Sequence, residues 1–171
     1  MTPLPPPLRS GALVFWRLDQ AKFASSWASG EGSYLAGGRW SSRGMRAVYA
    51  ALDPATAILE VAVHKGFRTL DIVPHVLSSA RIADAEDVYV VEPTVVPNPN
   101  WLRPGAVSAG QQAFGDALLK THRFVLLPSV VSTHSWNVVF DPVPAGSRYG
   151  KIRQETFALD PRLHPPARID P

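Results

Sequence analysis

Four stretches of the chain place reactive or ligand-holding side chains where they could do chemistry. The first is Gly37-Gly38-Arg39-Trp40. Paired glycines let the backbone come close to a neighbour, and a planar guanidinium delivered there can grip a phosphate or pyrophosphate at two points. A tight turn carrying a surface arginine and a packed tryptophan has the same signature. The second is Tyr49, inside the strand-like Val48-Tyr49-Ala50-Ala51. It either joins the core or lines a cleft, where it could stack on a flat ring and donate its hydroxyl. The third is Glu60, beside the apolar Leu59 and Val61. A carboxylate next to a buried face is costly unless paired, and such a charge can stabilise a developing cation. An exposed glutamate paired with His64 one turn on is the plainer alternative. The fourth is Pro128-Ser129, followed by the polar run Ser132-Thr133-His134-Ser135 and then Trp136-Asn137.

Several reaction classes lapse on the same residues. Ser129 lacks a G-x-S-x-G elbow, so a hydrolase nucleophile is not expected, and no spacing supports a Ser-His-acid triad with His134. The five histidines contain no H-E-x-x-H pattern, and there is no phosphate-binding P-loop or dinucleotide fingerprint. The chain has no cysteine, which removes disulfides, thiolate catalysis and cysteine-held zinc. No metal site is expected.

The elements that must carry these residues read as a mixed fold. Asp53-Pro54 gives an N-cap with proline at the first helical position. Ala55, Ile58, Leu59, Ala62 and Val63 follow at helical spacing, and Gly66 supplies the stop. A second helix is predicted over Ser108–Lys120. Strands are predicted at Ala12–Leu18, Val48–Ala51, Val73–Leu77, Val88–Val91, Phe124–Val131, Asn137–Phe140 and Ile152–Leu159. Strands outnumber helices and several are joined by short loops, which points to a single α+β domain with a mainly antiparallel core.

Length and composition agree. At 171 residues, with 46% hydrophobic and 18% charged residues, the chain fits one globular domain. Prolines crowd both ends, so residues 1–10 and 160–171 read as tails around a domain at 11–159. Pro93–Pro104 reads as an irregular connection of unassigned role. The charge of +3 is too small, and its arginines too scattered, to predict a nucleic-acid surface. Neither a signal peptide nor a membrane span is expected, which predicts a cytoplasmic protein.

Taken in chain order, these pieces resemble the RES-domain toxins of bacterial toxin–antitoxin pairs, a family named for an Arg, a Glu and a Ser. The carriers are Phe15-Trp16-Arg17, Gly38-Arg39-Trp40 with Gly44, Val48-Tyr49-Ala50 and Pro54–Val61, then Pro128–Val131 and Trp136-Asn137-Val138. The resemblance implies an ADP-ribosyltransferase-like core and an enzyme that consumes NAD by cleaving the nicotinamide–ribose bond, with water or phosphate as acceptor. It implies Arg39, Glu60 and Ser129 as catalytic residues and Arg17, Tyr49 and Asn137 as substrate-binding ones. Glu60 would stabilise the ribosyl cation, Arg39 and Arg17 would hold the pyrophosphate, and Tyr49 would lie against the nicotinamide. Ser129 would orient the ribose or Glu60. NAD is then substrate rather than cofactor, inorganic phosphate is a candidate co-substrate, and the partner is an Xre-type helix-turn-helix antitoxin, with room for a homo-oligomer. Transfer of ADP-ribose to a protein, or a silent antitoxin-binding module, remain the alternatives. Two departures stand out: Asp141 replaces an expected Asn, and Ser132-Thr133-His134 replaces a Val-Pro-acidic run.

Overall fold

The computed structural model describes residues 13–103, 105 and 107–163. The expected N-terminal tail lies outside the described residues. Of the expected C-terminal tail only 160–163 are described, with Pro161–Leu163 in a single 3-10 turn.

Seven strands form one sheet: β1 (Val14–Gln20), β2 (Val48–Ala51), β3 (His75–Ile82), β4 (Val88–Val90), β5 (Phe124–Pro128), β6 (Trp136–Phe140) and β7 (Tyr149–Phe157). Their order is β4-β5-β6-β2-β1-β3-β7. Every neighbouring pair is antiparallel except β4 and β5, which run parallel. The helices are α1 (Glu31–Ala36), α2 (Pro54–Lys65), α3 (Phe67–Ile72), α4 (Ala109–Thr121) and α5 (Pro142–Ala145). The expected α+β architecture with a mainly antiparallel sheet is what the chain forms. No helix among the described residues is long and apolar enough to cross a membrane.

Alternation along the strands assigns the two faces. One face carries Phe15, Val48, Ala50, Ala80, Phe124, Leu126, Val138 and Phe140, all buried in one cluster. Phe15 anchors it, its ring 5.4 Å from Phe140 and 5.6 Å from Tyr149, both edge-on. Burying each such aromatic stabilises the fold by about 1.5–3 kcal/mol. The opposite face is covered in two halves. Over β1 and β3, helices α2 and α3 pack Ala62, Leu70 and Ile58 against Trp16, Leu18 and Leu77. Over β5 and β6, Leu119 of α4 joins Trp40, Val96 and Trp101 against Val125, Leu127 and Val139. Between the halves lie Tyr49, Ala51 and Asn137. Ala51 stands opposite both Trp16 and Asn137, so these residues share that face.

Two predicted strands change length by the most. β5 stops at Pro128 rather than Val131, because Ser129 turns its N–H to the Ser135 carbonyl (3.0 Å) and closes the connection to β6. β3 runs to Ile82 rather than Leu77, because Ser78 and Ser79 are buried ladder residues despite their polarity.

Candidate active site

Helix α2 sets the position of Glu60. The Asp53 carboxylate accepts the Thr56 N–H at 2.8 Å, and the Gly66 N–H closes the other end on the Ala62 carbonyl at 2.8 Å. Both caps lie where the sequence places them. They fix the rotation of the helix, and Ala57 and Ala62 bury its inner stripe. Glu60 then reaches the gap between the two halves of the covering layer. Its Oε1 accepts from the Ser129 hydroxyl at 2.9 Å and from the Asn137 amide at 2.6 Å. The alternative partner, His64, is not used. Oε2 has no hydrogen-bond donor among the described residues, and Glu60 joins no ion pair among them. Two neutral donors therefore hold the carboxylate in place without cancelling its charge.

Ser129 is fully buried, and its hydroxyl is occupied both ways, donating to Glu60 and accepting the Ser132 N–H at 3.0 Å. That bond ties Ser129 to the Glu60 side chain. The departure at Ser132-Thr133-His134 supplies this turn: Ser132 Oγ lies 3.0 Å from Ser135 Oγ, and the Ser135 N–H bonds the Ser132 carbonyl at 2.8 Å. Asp141 is equally at home, capping α5 by accepting the Val143 N–H at 2.9 Å, a bond asparagine would accept as well. Asn137 must turn its amide nitrogen to the carboxylate, which leaves its Oδ1 buried without a partner among the described residues. An unsatisfied buried acceptor costs about 1–3 kcal/mol. Such a cost is understandable where the side chain is placed for Glu60 rather than for stability.

Arg39 faces the same gap. Its Nη1 donates to the Trp101 carbonyl at 3.0 Å, which leaves the two-nitrogen edge of Nε and Nη2 without a partner among the described residues. Burial lowers its pKa below the ordinary arginine value, while the nearby charge of Glu60 and then Tyr49 pull it back up. Arg17 differs. Its Nε and Nη2 already grip the Asp19 carboxylate at 2.7 and 2.8 Å, and its Nη1 donates to the Tyr49 carbonyl at 2.6 Å. Alternation places it on the Phe15 face, opposite Tyr49 and Asn137. The structure thus brings Arg39, Glu60, Ser129, Tyr49 and Asn137 to one gap and sets Arg17 as a brace between β1 and β2, which share only the pair Trp16–Ala51.

Tyr49 is half-buried on β2 with its hydroxyl turned under the glycine-rich loop. The hydroxyl accepts the Trp40 N–H at 3.0 Å and lies 2.8 Å from Ser41 Oγ. Burial of that group pushes its pKa up to about 12. A Cβ at position 38 would run into the phenol, so Gly38 is required for this approach. The phenol supports the Arg39 loop; it does not present a free hydroxyl.

Sequence reading missed the residues that grip this loop from α4. Gln112 Nε2 donates to the Gly38 carbonyl at 2.8 Å, and Asp116 accepts the Ser42 N–H at 2.9 Å. Gly115 lies so close to the Trp40 carbonyl that a Cβ there would collide with it. These partners are more than 70 residues from the loop, and no local pattern announces them.

A family model described as RES domain matches residues 14–160. The chain belongs to the RES-domain family. It is 27% identical over 154 residues to Toxin Res of Photorhabdus laumondii, covering 88% of this chain and 97% of that one. It is 30% identical over 153 residues to Toxin Res of Pseudomonas putida, covering 88% and 99%. It is 29% identical over 165 residues to the Prs ADP-ribosylating toxin of a Sphingobium species, covering 87% and 95%. Among solved structures, the M. tuberculosis MbcT–MbcA toxin–antitoxin complex contains a chain of the same fold, with a TM-score of 0.66 at 20% identity, covering 89% of this chain and 86% of that one. In this RES domain, Arg39, Glu60 and Ser129 lie around one gap.

Proposed function

We propose that this RES domain is the toxin of a bacterial toxin–antitoxin pair and that it breaks the nicotinamide–ribose bond of NAD. The observation that carries the reading is the Glu60 carboxylate, in no ion pair among the described residues and held by Ser129 and Asn137 within the field of Arg39. Bond cleavage at an anomeric carbon passes through an oxocarbenium-like transition state. The nicotinamide nitrogen takes the bonding pair and leaves as a neutral molecule, so no general acid is needed. Positive charge grows on the ribose, where Glu60 Oε2 is the available anion; an oxygen of water or phosphate then bonds to that carbon. A preorganised charge in a shielded site acts mainly on the transition state. Arg39 offers its open Nε/Nη2 edge to the pyrophosphate, and Tyr49 keeps the Arg39 loop in place.

The names of the relatives support a toxin, and the neighbour's complex supports an antitoxin partner. We assign that partner to the Xre-type helix-turn-helix class and the site of action to the cytoplasm. Transfer of ADP-ribose to a protein is the second reading, favoured by the name of the Sphingobium relative.

The deciding experiment follows NAD loss and product identity with and without phosphate. Free ADP-ribose identifies water as acceptor, and its 1-phosphate identifies phosphate. A labelled protein identifies the second reading, and unchanged NAD identifies a silent module. Activity should survive chelation of metals. Co-expression with a neighbouring helix-turn-helix gene product should abolish toxicity.

A further inference from the structure

The irregular connection before α4 has no role in the reading above, yet the structure ties it to the Arg39-Trp40 loop twice. Its Trp101 carbonyl accepts Arg39 Nη1, and the Trp101 ring lies 6.3 Å from that of Trp40. Asn98 organises the turn that presents this carbonyl: the Trp101 N–H bonds the Asn98 carbonyl at 3.1 Å, and the Asn100 N–H bonds Asn98 Oδ1 at 3.0 Å. Asn98 Nδ2 also donates to Gln111 of α4 at 2.7 Å, a contact between two buried side chains. Gln111 in turn reaches the Arg39 carbonyl at 3.4 Å, and its neighbour Gln112 holds the Gly38 carbonyl at 2.8 Å. The backbone of Arg39 is thus held from α4 while its guanidinium is held from the connection. Only one nitrogen of the guanidinium is spent.

We propose that residues 96–103 and the N-terminal half of α4 form a cradle that aims the open edge of Arg39 at the substrate's pyrophosphate, with Asn98 and Gln112 as positioning residues. The proposal rests on the reading of Arg39 as the phosphate-binding group. An unanchored arginine side chain loses rotamer freedom each time it binds; the cradle removes most of that cost before substrate arrives, which is the physical content of preorganisation. It also accounts for buried amides on a segment that a domain could otherwise bridge with a short loop. Because ground state and transition state both carry the pyrophosphate, a loosened cradle should weaken substrate binding rather than the chemical step.

The test measures NAD kinetics for Asn98→Ala and Gln112→Met, each in the wild-type and the Arg39→Lys background, with melting midpoints alongside. In the wild-type background KM should rise about three- to tenfold, the equivalent of losing one hydrogen bond's net contribution, with kcat within about twofold. In the Arg39→Lys background, which has no fork to aim, the same changes should add little. An equal loss in both backgrounds, a fall in kcat at unchanged KM, or no change at all would overturn the cradle. Gln112 is half-buried on the helix surface, so Gln112→Met carries the test alone if Asn98→Ala fails to fold. If Arg39→Lys itself keeps wild-type KM, the phosphate reading of Arg39 is what fails. If Arg39→Lys is impaired while both cradle variants behave as wild type, the cradle alone fails.

Discussion

Two carboxylates of this protein are held by two donors each, and the donors differ in kind. Asp87, just before β4 at the edge of the sheet, is gripped by Arg123 Nη1 and Arg148 Nε, both at 2.6 Å. Those hydrogen bonds, from Arg148 first, hold its pKa below the ordinary aspartate value. Glu60 has a serine hydroxyl and an asparagine amide instead. Asp87 borders a surface depression of about 570 Å³ between β4 and the end of α4. Volume does not identify the site, because the charge at Asp87 is already matched by protein. Glu60 is held by neutral donors and forms no ion pair among the described residues, which suits a charge reserved for something that arrives later.

The strongest way to break this contrast is to remove the reserved charge. Glu60→Gln keeps the shape, and its turnover of NAD should fall by about two to three decades, the cost of one lost electrostatic contact in a shielded site of ~2.7–4 kcal/mol. Substrate binding should survive better than turnover. Normal NAD consumption by a folded Glu60→Gln protein would place Glu60 on an ordinary helix surface. Next in size, Arg39→Lys keeps charge but loses the planar fork, so KM for NAD should rise about tenfold or more. Unaltered kinetics would mean that the open edge of Arg39 meets no phosphate.

The third change sharpens the contrast by acting on the support alone. Tyr49→Phe leaves the Trp40 N–H without its acceptor and should destabilise the fold by about 1–2 kcal/mol in denaturant titration. Burial pushes the wild-type phenol up to about 12 from the ordinary tyrosine value of 10.0, so the native state binds more protons than the unfolded one between those values. Its contribution is fully present below about pH 10 and is lost as pH rises towards 12. The Phe variant should lack that alkaline segment, and an identical alkaline profile would count against the buried hydroxyl. The smallest effect belongs to Asp87→Asn. A near-surface pair of this kind contributes about 0.2–1 kcal/mol, visible above the unfolded aspartate pKa and fading as pH falls through the depressed folded one. NAD turnover should not change; a turnover defect would dissolve the distinction between the two carboxylates.

What the sequence reveals, and what it hides, follows the range of the interactions. The caps of α2 are local, so Asp53, Pro54 and Gly66 announce them. Strands β2 and β6 are short apolar runs and were legible within a residue. Helix α1 was not, since Glu31–Ala36 has no apolar stripe and buries only Ser33. Helix α3 follows Gly66 directly and spans too few residues to show a period. At the site, residue types suggested Arg39, Glu60 and Ser129, but only the fold separates Arg17, whose fork is filled by Asp19, from Arg39, whose fork is open. Gln112 and Trp101 carry no local signal because each acts on a loop more than 60 residues away.

Gly115 shows how exposed such a site is to changes far from its chemistry. Inside a helix, glycine is less stable than alanine by roughly 1 kcal/mol, so a change to alanine there would ordinarily count as an improvement. In this helix the added methyl would meet the Trp40 carbonyl, one residue from Arg39. Alanine at position 115 would favour the isolated helix yet push the Trp40 backbone, and Arg39 with it, out of place, so a change that is stabilising by local rules would spoil the gap from a distance.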